Sequence, residues 1–160
     1  GMAMSPRRIT VSTAGVAKQI RQLGDDNVKF KLALSLHAAN DIKRHEIMPV
    51  NDTNNIKTLV DALNYFYKQT KNEITFEYIL IDGVNDSAED ARRLVKLLRG
   101  IHCKINLIPL NPSAESRLKQ SSYAKTSEFQ KILIQNNMTA LIRESRGKDI
   151  FAACGQLRGK

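Results

Sequence analysis

Cys154 lies in Ala152-Ala153-Cys154-Gly155-Gln156, a run of small residues with Arg146, Lys148 and Arg158 near it in sequence. Neighbouring cations lower a thiol pKa and favour the thiolate, the nucleophilic form. Cys103 precedes an apolar strand and reads as a buried, inert thiol. Ser12-Thr13-Ala14-Gly15 joins an apolar strand to a helix, where backbone N–H groups either face an anion or simply start the helix. Ser35 and His37 flank Leu36, so an extended chain turns both polar side chains to one side. With no acid placed beside them they are not a catalytic triad, and His37 taken alone reads as a structural histidine more readily than as a functional one. Asp82, Asn85 and Asp86 share one turn whose spacing does not fit a calcium loop and suits Asx hydrogen bonding. Asn111, between Leu110 and Pro112, either contacts a ligand or caps its turn.

The elements that position these residues alternate between strand and helix. Residues 9–11 read as a strand and 16–23 as a helix ended by Gly24. Residues 29–35 alternate in period two as a strand does, and Asn40 can cap a short helix. Ile56, Leu59, Val60, Leu63 and Tyr67 recur at helical spacing and predict a helix over 55–69. The β-branched and aromatic run 74–81 predicts a strand, and Ser87 caps a helix to about residue 99. Residues 104–108 form a strand stopped by Pro109. A helix over 126–137 and a strand over 139–143 follow. Such alternation implies βαβ units and a mostly parallel α/β sheet, either open or part of a larger barrel. Ligands of these sheets sit beyond the carboxyl ends of the strands, where Ser12, Ser35, Asp82 and Asn111 all fall.

The 160 residues carry a formal net charge of +9, and Ser116 to Lys160 holds nine basic against three acidic residues. A polyanion such as RNA or DNA suits that surface. Two cysteines are too few for a disulfide scaffold or for the four thiolates usual in an iron–sulfur cluster, so a self-contained metal site is not expected. No stretch has the length of a membrane span and no secretory signal opens the chain, which points to a cytoplasmic protein without a membrane partner.

Taken in order, Arg8-Ile9-Thr10-Val11-Ser12-Thr13-Ala14-Gly15-Val16, Leu34-Ser35-Leu36-His37-Ala38, Ile47-Met48-Pro49-Val50-Asn51, Phe76-Glu77-Tyr78-Ile79-Leu80, Asp82-Gly83-Val84-Asn85-Asp86, Asn106-Leu107-Ile108-Pro109-Leu110-Asn111-Pro112 and Ala152-Ala153-Cys154-Gly155-Gln156-Leu157 resemble the radical S-adenosylmethionine RNA methyltransferases of the RlmN family. These modify carbon 2 of an adenine in large-subunit ribosomal RNA and in transfer RNA. The resemblance runs from Arg7 to Lys160. It implies that residues 1–160 are one domain, the C-terminal half of a partial TIM-like radical S-adenosylmethionine barrel. The Cys-x-x-x-Cys-x-x-Cys loop that holds a 4Fe-4S cluster lies upstream of this region in the family.

On the matching positions the resemblance makes Ser12, Ser35, Leu36, His37 and Asn111 contacts of S-adenosylmethionine. Cys154 matches the cysteine that accepts a methyl group, loses a hydrogen to a 5′-deoxyadenosyl radical and adds to the adenine. Carbon 2 of adenine is not nucleophilic, which is why a radical on a protein-held carbon suits the reaction. Arg8, Arg143, Arg146 and Lys148 flank these motifs and are candidates for RNA phosphate contacts. Where the family often has an acidic or small residue, this chain has Phe151.

Two other readings are compatible with the residues: an RNA-binding α/β module without catalysis, and the sister activity that methylates carbon 8. A half-barrel also exposes strand edges, so a dimer through that edge, and inactivity of the fragment alone, are expected.

Overall fold

A computed structural model describes residues 9–48, 53–112 and 114–144. Arg8, Arg146, Lys148 and Cys154 lie outside the described residues. Five strands, β1 (Thr10–Thr13), β2 (Lys31–Ser35), β3 (Ile74–Leu80), β4 (Cys103–Pro109) and β5 (Thr139–Ile142), form one sheet in the order of the chain. Every neighbouring pair is parallel. Helices α1 (Ala17–Asp25), α2 (Asp41–Ile47), α3 (Ile56–Thr70), α4 (Ala88–Leu98) and α5 (Tyr123–Gln135) fill the connections. Sequential parallel strands joined by crossovers of one hand carry their helices on one face, as in an arc of an α/β barrel. The sheet does not close.

Strand alternation shows which face is which. Leu32, Leu34, Phe76, Tyr78, Ile105, Leu107 and Ala140 pack with residues of α1, α3, α4 and α5 into the main core. The opposite set points away from those helices: Ser12, Ala33, Ser35, Thr75, Glu77, Lys104, Asn106 and Thr139, in rows fixed by the pairing of Ser12 with Ala33 and of Ser35 with Glu77 and Glu77 with Asn106. Toward the strands' carboxyl ends this face becomes apolar. There Ile79, Ile81, Ile108 and Leu110 form a second cluster with Ala38, Ile47 and Met48 at the end of α2.

The helix starts were written into the sequence. Asn40 Oδ1 accepts from Lys43 N at 2.8 Å, Asn55 Oδ1 from Thr58 N at 2.9 Å, and Ser87 forms a capping box with Asp90. Helix α1 has no cap of its own, and Asn54 Oδ1 accepts from its Ala17 N–H at 2.8 Å.

Several expected boundaries move. Ser12 and Thr13 belong to β1 rather than to the turn after it. Gly24 does not end α1. It lies inside the helix, where a Cβ would come within 3.2 Å of Tyr65 Cδ2 and 3.3 Å of Phe66 Cα, so the glycine is a packing requirement of the α1–α3 contact. Strand β2 is buried on both faces rather than alternating, because Ala33 and Ser35 on the open side are shielded too. The buried stripe of α3 runs through Ala62 and Phe66, leaving Val60 and Tyr67 at its margin. Helix α5 starts three residues early, at Tyr123, with Ser122 as its cap.

Candidate functional site

Because all five strands are parallel, their carboxyl ends share one edge, and the expected residues collect along it. Ser12 is exposed near the end of β1, and Ser35 ends β2 one row further on the same face. Asn111 follows β4, exposed, and Arg143 follows β5. Asn111 follows the strand two places over from β2, five residues beyond Asn106, which shares a row with Ser35, and Arg143 follows the next strand.

His37 is the most constrained member. The chain leaves the extended conformation there, at φ +60°, so the simple alternation expected of Ser35 and His37 ends at Leu36. Three interactions hold the bend. The Ile79 N–H donates to His37 Nδ1 at 3.0 Å, the Asn85 amide donates to the His37 carbonyl at 2.8 Å, and the same amide donates to the Ile79 carbonyl at 2.7 Å. Asn85 Oδ1 in turn accepts from Ile81 N at 2.8 Å, and its own carbonyl accepts from the Tyr78 hydroxyl at 2.6 Å. Since Nδ1 accepts, the neutral ring carries its proton on Nε2. Burial first, and the nearby Arg44 charge second, push the His37 pKa down to about 3, so the imidazole is neutral at physiological pH. Nε2 is sealed from solvent and has no hydrogen-bond partner among the described residues.

Arg44 was invisible to sequence reasoning. It occupies the interior of a short polar helix, yet it is fully buried. Its guanidinium donates to the carbonyls of Ala14 at 2.7 Å, Ser35 at 2.8 Å and Leu36 at 3.1 Å, tying the end of β1 to the end of β2. Gly15 makes room for it at φ +111°, where a Cβ would lie 3.2 Å from Arg44 Nη2 and 3.0 Å from Leu59. Leu36 puts its side chain in the core, its N–H donates to Glu77 O at 2.9 Å, and its carbonyl already accepts from Arg44.

The acidic turn after β3 is structural. Asp86 Oδ2 accepts from Ser121 Oγ at 2.7 Å, its Oδ1 from Gly83 N at 3.1 Å, and Lys125 stands 3.7 Å from both Asp82 and Asp86. Cys103 begins β4 at the amino end of the strands, the edge away from His37, and burial raises its pKa to about 11. Among the described residues no group of three or more His, Cys, Asp or Glu could hold a metal ion. No helix among them is long and apolar enough to cross a membrane.

No protein-family profile matches the chain. A probable dual-specificity RNA methyltransferase RlmN of Cytophaga hutchinsonii is 53% identical to it over 157 residues, 98% of this chain and 43% of the relative. The dual-specificity RNA methyltransferase RlmN of Campylobacter jejuni is 50% identical over 158 residues, 99% of this chain and 44% of the relative. By sequence, this chain is a homologue of one part of RlmN. It spans less than half the length of these RlmN relatives. The fold agrees: the crystal structure of a radical SAM methyltransferase from Sphaerobacter thermophilus superposes with a TM-score of 0.86 at 45% identity, covering 97% of this chain and 46% of that one. A domain of the pyruvate-formate lyase-activating enzyme from Bacteroides vulgatus shares the fold alone, at a TM-score of 0.57 and 14% identity over 83% of this chain. The RlmN homology and the partial parallel barrel thus bear out the resemblance seen in the sequence motifs.

Proposed function

We propose that this chain supplies part of the S-adenosylmethionine site, and the methyl-carrying cysteine, of an RNA methyltransferase acting on adenine carbon 2 in ribosomal and transfer RNA. The observation that carries this reading is the His37 Nε2–H, a buried donor without an acceptor at the position where the family resemblance places an adenosylmethionine contact. Buried polar groups in native proteins rarely stay unpaired, and an acceptor on a ligand satisfies this one. Ser12 and Ser35 offer hydroxyls on the same open face, and Asn111 an amide from β4. Adenosylmethionine, when bound, supplies both the methyl group and the source of the radical.

The chain's own contribution is positional. Arg44 and Asn85 fix the β2 exit by hydrogen bonds to backbone carbonyls, so His37 presents its donor in one orientation and in one protonation state. A thiolate at Cys154 is the nucleophile that takes the methyl group, and Arg8, Arg143, Arg146 and Lys148 neutralise RNA phosphates. The 4Fe-4S cluster does not fit the described residues, so its ligands belong to other parts of the full-length enzyme. The open edges at β1 and β5 expose Ile9, Val11, Leu141 and Ile142. In the chain alone these edges pair two copies, giving a dimer by light scattering and no methylation.

The test is calorimetric titration of the full-length protein with adenosylmethionine at pH 8. His37→Asn, which tolerates positive φ and can still accept from Ile79, weakens binding about ten-fold with little change in melting temperature. Unchanged affinity would remove His37 from the site and with it the main support for the reading.

A further inference from the structure

The connection from β4 to α5, residues 110–122, is longer than those that follow β1, β2 and β3 at the same edge of the sheet. Long connections that stay ordered without a helix or strand of their own are most often binding or gating loops. This one is pinned down by the chain itself. Leu118 packs against the apolar cluster of Ile79, Ile81 and Ile108 at the carboxyl ends of the strands. Gln120 forms an antiparallel bridge with Ile81, and the Lys119 carbonyl accepts from Asp82 N at 2.9 Å. Ser121 Oγ donates to Asp86 Oδ2 at 2.7 Å. Arg117 and Lys119 stand on either side of Leu118, and both are exposed. The loop therefore lies over the end of β3 and displays two cations from an anchored backbone.

The acids around the loop are held by other groups. Lys125 of α5 stands 3.7 Å from both Asp82 and Asp86, so α5, and not the loop, supplies the counter-charge of the turn after β3. Within the loop, Glu115 is the one acid against Arg117 and Lys119. On the far side of β4, Arg143 follows β5, with Glu144 after it. Basic groups thus flank the end of β4, where Asn111 stands, from both neighbouring strands.

We propose that Arg117 and Lys119 bind adjacent phosphates of the RNA and so set its path over the carboxyl edge of the sheet. The assignment rests on the RNA reading above and adds to it the element that positions the substrate. Neutralised phosphates release their counterions, and a backbone already fixed by Leu118 and Gln120 has little freedom left to lose on binding. Phosphate contacts fix register and carry no base identity, so the pair positions RNA without choosing its sequence.

The experiment follows transfer RNA binding by fluorescence anisotropy on the anaerobically reconstituted full-length protein, between about 50 and 200 mM salt. Arg117→Gln combined with Lys119→Gln weakens binding about ten-fold at the upper salt concentration and lowers the slope of log affinity against log salt by about 1.5. A scrambled RNA of equal length suffers the same loss. Exchanging the cations, Arg117→Lys with Lys119→Arg, keeps both affinity and slope. Adenosylmethionine affinity stays unchanged in both variants. An unchanged slope, or a loss confined to one of the two RNAs, overturns the assignment and leaves the RNA reading standing. Failure of the unmodified protein to bind RNA overturns both.

Discussion

The side-chain amide of Asn85 bridges the carbonyls of His37, at 2.8 Å, and Ile79, at 2.7 Å, across two neighbouring strand ends. The bridge holds His37 in a left-handed conformation that a side chain other than glycine rarely adopts unless its surroundings enforce it. Asn85→Ala leaves two buried carbonyls and the Ile81 N–H without partners, each worth about 1–3 kcal/mol. We expect a loss of at least 3 kcal/mol in urea unfolding, and adenosylmethionine affinity falling with it. A loss under about 1 kcal/mol would show that the β2 exit is held without Asn85.

His37 makes stability depend on pH in a definite direction. Its folded pKa of about 3, lowered by burial and then by Arg44, lies below the ordinary value of 6.5. Between those values the unfolded chain binds the proton and the folded one does not, so stability falls as pH falls. At pH 5 the penalty from this residue is about 2 kcal/mol, on the order of 4–8 °C in melting temperature. His37→Asn flattens the melting profile between pH 6.5 and 4 and leaves it unchanged above pH 7.5. Parallel profiles for the two proteins would contradict a buried neutral imidazole.

The alternation of strands and helices, the Asn40 and Ser87 caps, and the gathering of Ser12, Ser35 and Asn111 at one sheet edge were legible because each follows from local periodicity, cap chemistry or the direction of a parallel strand. What escaped depends on contacts far apart in sequence. Arg44 reads as one more surface base of α2 until β1 and β2 deliver three carbonyls to it. Gly24 reads as a helix stop until Tyr65 and Phe66 are packed beside it. Glu77 sits in an otherwise apolar and aromatic strand, and only the register with Ser35 and Asn106 shows that it faces the open side.

Gly15 is the position where room for Arg44 and backbone shape coincide. Gly15→Ala meets both a positive φ, costing on the order of 1 kcal/mol, and contacts of 3.0 Å to Leu59 and 3.2 Å to Arg44 Nη2. The guanidinium must then give up part of its hold on Ala14 and Ser35, so the total loss should reach about 2–4 kcal/mol. Thermal melting of the variant checks this. A melting temperature within 2 °C of the unmodified protein would mean that the Arg44 clamp adapts freely.

The two thiols should differ sharply in reactivity. Cys103 is held at a pKa of about 11 by burial, so at pH 7.5 roughly three in ten thousand of its molecules are thiolate, against about one in ten for an ordinary exposed cysteine. Alkylation follows the thiolate fraction, so Cys103 in the native protein should react hundreds of times more slowly than a free thiol. Any fast iodoacetamide labelling at pH 7.5 must then come from Cys154, the proposed methyl carrier. Cys154→Ser should abolish the fast phase, and Cys103→Ser should leave its rate and amplitude as they were. A fast phase surviving in Cys154→Ser would show that Cys103 is accessible and ionised, and would remove the contrast that singles out Cys154 as the reactive cysteine.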